Sequence, residues 1–247
     1  MGAEPVHPFL LRVRGAGAFQ IRVNDGPLCH GVEGNTVVTT LPVLPWLRLG
    51  PNYLTLLLPR DGDWCVVELS ETSDAGAEVV ILEHRAPDAG AGAGIMHVPF
   101  FVSPEGVPRW RWTVAPRMGI NEEILNEAIA AWRDLWTRLD EGNLPGLMIR
   151  LRRRSRELAI AQRLELADYE LQLEQRLQGL LDTSSWVLLP FPSEGLHIRR
   201  VAEGRLVQLL TDSGASPLGF RSTDGELTAE LTALMGLDEA LELEVLR

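Results

Sequence analysis

The spacing of apolar residues changes twice along this chain. Up to about residue 113 they come in short runs, at 9–13, 19–23, 36–41, 53–58, 64–69, 79–82, 95–101 and 110–114. Turn formers separate these runs: Gly15-Ala16-Gly17, Asn24-Asp25-Gly26-Pro27, Gly34-Asn35, Pro59-Arg60-Asp61-Gly62 and the stretch 88–94. Regularly spaced short strands with Gly, Pro and Asp between them predict an antiparallel β-sandwich. Asn24-Asp25-Gly26 marks a hairpin, because its turn needs positive φ, which Asn and Gly adopt at little cost.

From 121 to 181 the period becomes helical. Asn121 is an N-cap, Glu122, Glu123 and Glu127 place negative charge near the positive end of a helix, and Leu125, Ala128, Trp132, Leu135, Trp136 and Leu139 recur at three- and four-residue steps. Gly142-Asn143-Leu144-Pro145 breaks this helix. A second follows, with Pro145 in its first turn and apolar positions at Leu151, Leu158, Leu164, Ala167, Leu171 and Leu177. Two long antiparallel helices are the simplest outcome.

Strand-like runs return at 186–189, 196–201, 205–210, 218–222 and 241–246, with a short helix expected over 226–235 and ended by Gly236. Helices followed by an antiparallel meander predict an α+β arrangement in which two long helices pack on one curved sheet. The expected organisation is therefore a β-sandwich domain, residues 1–113, and an α+β domain of a helix-covered sheet, residues 114–247.

Two families are similar to parts of this pattern. Val23-Asn24-Asp25-Gly26 followed by Leu47-Arg48-Leu49-Gly50-Pro51-Asn52-Tyr53-Leu54-Thr55-Leu56 resembles the V-N-G … L-x-x-G-x-N-x-L-x-L pattern of galactose-binding-like jelly-roll domains. That resemblance spans roughly residues 8–113 and implies a jelly-roll sandwich, common as an accessory module beside glycosidases; it carries over no ligand residues. The order of helices before a meander, with Ala202-Glu203-Gly204-Arg205-Leu206-Val207 at an inner hairpin, resembles the NTF2-like cone fold. That likeness implies a pocket lined by residues such as Trp132, Trp136, Asp168, Tyr169, Trp186 and His197.

Composition removes several chemistries. The 23 basic side chains are all arginine, so a Walker A lysine, a Schiff-base lysine and a lysine general base are impossible. Net charge is −11, with eight arginines against twelve acids before residue 114 and fifteen against twenty-two after it. This balance disfavours nucleic acid, whose phosphates need neutralising, and favours a neutral or basic protein partner. No apolar run approaches the ~18 residues of a membrane span. Residues 1–5 lack the basic and apolar regions of a secretory signal, so a cytoplasmic location is expected, or a periplasmic one if a signal has been removed. Cys29 and Cys65 are read as free buried thiols.

Motifs of catalysis are not found. His7, His30, His84, His97 and His197 are scattered, Gly214-Ala215-Ser216-Pro217-Leu218 lacks the last glycine of a nucleophile elbow, and the glycines of 89–94 lack dinucleotide-loop spacing. No metal, cofactor or catalytic residue is assigned. Trp46 and Trp64 are aromatics that could stack on a sugar, although large aromatics also fill sandwich cores. The arginines at 150, 152, 153, 154 and 156 read as a solvated helix face paired with Glu157, Glu165, Glu170 and Glu174. The last segment carries Asp224, Glu226, Glu230, Asp238, Glu239, Glu242 and Glu244 against Arg247, and is the candidate docking face for a partner. The leading expectation is a non-catalytic bacterial protein-binding protein, in its most concrete form an immunity, inhibitor or accessory protein for a toxin or secreted effector. The alternatives are a carbohydrate-recognition module using the sandwich, and a small-molecule binder or enzyme using an NTF2-like pocket.

Overall fold

The computed structural model describes residues 8–73, 77–87, 93–102, 107–182, 184–238 and 242–246. The chain divides into two compact units, Met1–Trp110 with Ala161–Arg163, and Arg111–Ile160 with Leu164–Arg247. Antiparallel sheets dominate, and the helices lie in the C-terminal part.

The first unit contains β1 (Phe9–Ala16), β2 (Phe19–Val23), β3 (Gly26–Gly31), β4 (Thr36–Pro42), β5 (Pro51–Leu58), β6 (Trp64–Thr72), β7 (Glu78–Ala86) and β8 (Gly94–Phe101). They form two four-stranded sheets, ordered β4-β1-β6-β7 and β3-β2-β5-β8. The period-two pattern is the reason each sheet buries a single face. Phe9, Leu11 and Val13 of β1 and Cys65, Val67 and Leu69 of β6 are buried, as are Phe19, Ile21 and Val23 of β2 and Leu54, Leu56 and Leu58 of β5. Sandwich-like pairs of sheets bury apolar area in this way, at about 25 cal/mol per Å² removed from water.

Two turns shape the second sheet. Asn24 and Asp25 both adopt positive φ, 49° and 64°, and return the chain from β2 into β3. Gly26 itself serves close approach, since a Cβ there would stand 2.1 Å from the Trp46 ring. Entry into β5 is tied down by a buried asparagine pair. Asn24 donates from Nδ2 to the Trp46 carbonyl and to Asn52 Oδ1, each at 2.7 Å, and its Oδ1 accepts from the Tyr53 N–H at 3.2 Å. Asn52 Oδ1 also accepts from the Arg48 N–H at 2.9 Å, and its Nδ2 donates to the carbonyls of Arg48 and Gly50 at 3.0 and 2.9 Å. Both side chains are almost fully buried, so these bonds satisfy groups that water cannot reach.

Strand β3 is absent from the sequence expectation, because Gly26-Pro27-Leu28-Cys29-His30-Gly31 shows no alternation; pairing with β2, across a register shift at Ile21/Arg22, makes it a strand. The strand expected at 110–114 is instead a 3₁₀ turn, Arg111–Thr113. Trp110 uses its indole N–H on the Leu47 carbonyl at 2.9 Å, and the Arg111 backbone N–H goes to the Glu157 carboxylate at 2.7 Å. With Pro108 and Pro116 on either side, the segment has few donors for a ladder, so Trp110 and Trp112 are buried without alternating on a strand.

The second unit holds three helices where two were expected: α1 (Glu122–Asp140), α2 (Leu144–Ala161) and α3 (Leu166–Asp182). Asn121 caps α1 by accepting from the Ile124 N–H at 2.8 Å, and the helix buries Ala128, Trp132, Leu135 and Leu139. The second helical run breaks at Arg163, which takes φ 54° while the Leu164 N–H reaches back to the Ala159 carbonyl at 2.9 Å. This is a helix terminus of the kind usually built on glycine.

The remaining strands are β9 (Trp186–Leu188), β10 (Leu196–Val201), β11 (Leu206–Thr211), β12 (Gly219–Ser222), β13 (Thr228–Glu230), β14 (Met235–Leu237) and β15 (Leu243–Val245). One curved sheet was expected; they form two, ordered β10-β11-β14-β15 and β13-β12-β9. The helix expected over 226–235 gives way to β13 and β14. Leu227 is exposed while Leu231, Ala233, Leu234 and Met235 are nearly all buried, a distribution that no helix stripe supplies and that ladder pairing of Phe220 with Ala229 does. Trp132, Leu151, Tyr169, Leu177, Val207 and Phe220 share one core drawn from all three helices and both sheets.

Candidate binding face

The acidic C-terminal residues divide into two groups. Asp224, Glu226, Glu230 and Glu242 are exposed. Asp224 accepts from the Ser222 hydroxyl and from the Glu226 N–H, and the Ser222 bond holds its carboxyl below the usual range. Asp238 and Glu244 instead turn toward Arg153 of α2, which is ion-paired with Glu244 and lies 3.8 Å from Asp238. Burial pushes the Glu244 carboxyl upward in spite of that arginine. Glu239 lies outside the described residues, as do His7, residues 89–92 and Leu241. Two of the five α2 arginines take ion partners from other elements: Arg150 pairs with Asp134 of α1 at 2.9 Å, and Arg153 with the β14–β15 region.

The six aromatic, acid and imidazole residues expected around a pocket take different roles. Trp132 and Tyr169 are buried, and Trp136 and Trp186 pack against the same core. Trp136 donates its indole N–H to the Leu189 carbonyl at 2.8 Å. Asp168 and His197 are exposed, in the first turn of α3 and on β10. Two clefts open elsewhere in this unit. One of 230 Å³ is lined by Arg111, Val114, Ala115, Pro116, Arg153, Leu237, Asp238 and Leu246. The other, of 530 Å³, runs between α1, α2 and β14–β15, with Asp134, Arg150 and Glu244 on an apolar floor that includes Leu135, Met235 and Val245. None of the six expected residues lines either. Among the described residues, no group of three His, Cys, Asp or Glu side chains is placed to hold a metal ion, and no helix is long and apolar enough to cross a membrane.

The outward faces of the first unit's two sheets both carry exposed apolar residues, Val38 and Val80 on β4-β1-β6-β7 and Ile95 and Phe101 on β3-β2-β5-β8, and they differ in charge. On β4-β1-β6-β7, the cross-strand row Thr40, Arg12, Glu68 and Glu83 is polar, and its last three members are charged. Arg12 Nη1 donates to Glu68 at 2.6 Å and Nη2 to Glu78 at 2.9 Å. Those hydrogen bonds, chiefly from Arg12 and then from Ser70, bring the Glu78 carboxyl down to about 2. Trp64 stands at the end of this face opposite Ala16, whereas Trp46 is a buried core residue.

On β3-β2-β5-β8 the register places Pro51, Tyr53, Thr55 and Leu57 of β5 on the outward side, although Thr55 is itself buried, together with Ile95, His97, Pro99 and Phe101 of β8. Gln20 and Arg22 join them from β2, and Pro27 and His30 from β3. None of these strand residues is a carboxylate. Ile95 and Phe101 are largely exposed, at 61% and 70%, whereas Leu54, Leu56, Leu58 and Phe100 of the same two strands are buried. Thr55 Oγ1 lies 3.0 Å from His97 Nδ1, and the Tyr53 and His97 rings meet edge to face at 6.2 Å. Arg48 lies 5.8 Å over the Tyr53 ring and donates from Nε to the Pro51 carbonyl at 2.9 Å. Arg22 donates from Nε and Nη2 to Gln20 Oε1, at 3.0 and 2.6 Å. This face escaped the sequence reading, though its signal is visible in β8, where Ile95-Met96-His97-Val98-Pro99-Phe100-Phe101 is apolar at positions of both parities.

Both thiols were expected to be buried; Cys65 is, whereas Cys29 on the edge strand β3 is only half-buried. Burial pushes the Cys65 thiol up to about 11 and the Cys29 thiol upward as well. Compared with models of known families, with curated proteins and with solved structures, the chain gives no match in any of the three.

Proposed function

We propose that this chain is a non-catalytic protein-binding protein that uses the outward face of β3-β2-β5-β8 as its recognition surface. The supporting observation is the line of Ile95, His97, Pro99 and Phe101 beside Leu57, Tyr53 and Pro51, apolar and aromatic in a chain of net charge −11. Partner surfaces gain most where apolar and aromatic groups lose water together, and large exposed patches of this kind mark such contacts. In its most concrete form the protein is an immunity, inhibitor or accessory protein for a toxin or secreted effector, with a jelly-roll-like first unit presenting the face. The test is parallel purification from the native host of the wild type, Phe101→Asp and Ile95→Asp. A stoichiometric partner recovered with the wild type and lost with both variants, at unchanged melting temperature, supports the reading; recovery with all three rejects it.

A second reading is carbohydrate recognition by the same face. It is favoured by the Tyr53 ring, flanked by Arg48 and His97 and followed along the sheet by Gln20 and Arg22, a set suited to stacking on a sugar and hydrogen bonding its hydroxyls. Glycan-array signal that disappears in Tyr53→Ala would favour this reading over the first.

A further inference from the structure

We infer that the protein surface that docks on β3-β2-β5-β8 is acidic. The inference rests on the recognition face proposed above and adds the chemistry of its partner. Arg12 and Arg22 sit at comparable places, each in a central strand of its own sheet and each half-buried. Arg12 has two carboxylates, Glu68 and Glu78. Arg22 has only the neutral carboxamide of Gln20, and among the described residues no carboxylate pairs with it. Its guanidinium is held in place through two of its nitrogens, which lowers the entropy lost when the remaining donor engages a partner.

The neighbouring outward residues reinforce this sign. Thr55 and His97 lie in register with Arg22, and His30 is opposite Gln20; none of them is acidic. A carboxylate-free patch in a chain with 34 acidic residues is a local reversal of the overall charge. An acidic partner meets an unopposed cation beside apolar groups here, whereas the exposed arginines of α2, Arg152 and Arg156, do not belong to this apolar face, and a basic partner would be drawn to the carboxylates elsewhere. Apolar contacts with Ile95 and Phe101 would supply most of the affinity, and a carboxylate on Arg22 the register.

The test uses the full chain and labelled peptides of equal length in which Phe alternates with Glu, Gln or Lys. Binding is read by fluorescence anisotropy at low and high salt for the wild type, Arg22→Gln, Arg22→Glu, Phe101→Asp and Arg14→Glu. Arg14→Glu makes the same charge change on the other sheet's outward face. The expected result is a preference for the Glu peptide of roughly tenfold or more, weakened by salt. That preference should fall in both Arg22 variants and persist in Arg14→Glu. Equal binding of the Lys peptide, an equal loss in Arg14→Glu and Arg22→Glu, no binding of any peptide, or tighter binding of an acidic oligosaccharide would each overturn the inference. Host-extract purification separates the two levels. A partner lost in Phe101→Asp but kept in Arg22→Glu leaves the face standing and rejects the acidic partner; one kept in both rejects the face itself.

Discussion

The two outward faces of the first unit are built on the same plan and finished differently. Each is the solvent side of a four-stranded antiparallel sheet whose other side is apolar. One pairs its charges, with Arg12 shared between Glu68 and Glu78 beside exposed Val38 and Val80; the other keeps Tyr53, His97, Ile95 and Phe101 toward solvent with Arg22 held by an amide. Folding requires only the buried sides. The outer residues are thus where the two sheets are free to differ, and they differ chiefly in charge.

The largest effect should come from beneath the proposed face. Asn52→Ala removes the acceptor for Asn24 Nδ2 and for the Arg48 N–H, leaving buried donors without partners. The expected loss is about 2–4 kcal/mol in urea unfolding, together with loss of binding. An intact face in Asn52→Ala would show that the shape of β5 does not depend on this pair. Next, Arg153→Ala in the second unit should cost about 1–2 kcal/mol, between typical exposed and buried ion pairs, because Asp238 and Glu244 lose their shared cation. It should leave binding to the first unit unchanged.

The charged face gives a pH signature. Glu78 has a folded-state pKa depressed to about 2, so its stabilising contribution is fully present above the ordinary carboxylate range and lost as pH falls toward 2. The stability difference between wild type and Glu78→Gln should therefore shrink between about pH 5 and 2, as followed by urea midpoints. A difference constant with pH would mean that the Arg12 contacts carry no net electrostatic stabilisation. Smallest of all, Phe101→Ser should change stability by no more than about 0.5 kcal/mol. A larger loss would reassign Phe101 to the core and remove the contrast between the faces.

Much of the first unit is legible in its sequence because a strand with one buried face writes a period of two, as in Phe9, Leu11 and Val13. Asn24-Asp25-Gly26 is equally legible as a turn, since backbone chirality restricts which residues adopt its positive φ values. The missed elements lack such local causes. Arg163 ends α2 without glycine or proline, so the apolar period runs through the break unmarked. β13 and β14 are strands through pairing and burial, against a spacing of Leu227, Leu231 and Leu234 that imitates a helix. The candidate face was hidden for a related reason. Gln20, Arg22, Tyr53 and His97 are far apart in sequence, and only the register of β2, β5 and β8 places them side by side. The acidic tail shows the converse limit: composition counts Asp238 and Glu244 as surface charge, while the fold turns them toward Arg153.

One detail of the proposed face bears on how the molecule behaves when concentrated. β3 and β8 are the edge strands of that sheet, and each carries a proline, Pro27 and Pro99. A residue without an N–H interrupts the hydrogen-bond template on which another chain could continue the sheet. The protein can thus keep Ile95 and Phe101 in water while its edges resist the strand-by-strand growth that ends in fibrils. Exchanging Pro99 for a β-branched residue would restore the missing N–H and open a route to polymerisation, while replacing one outward side chain of that face.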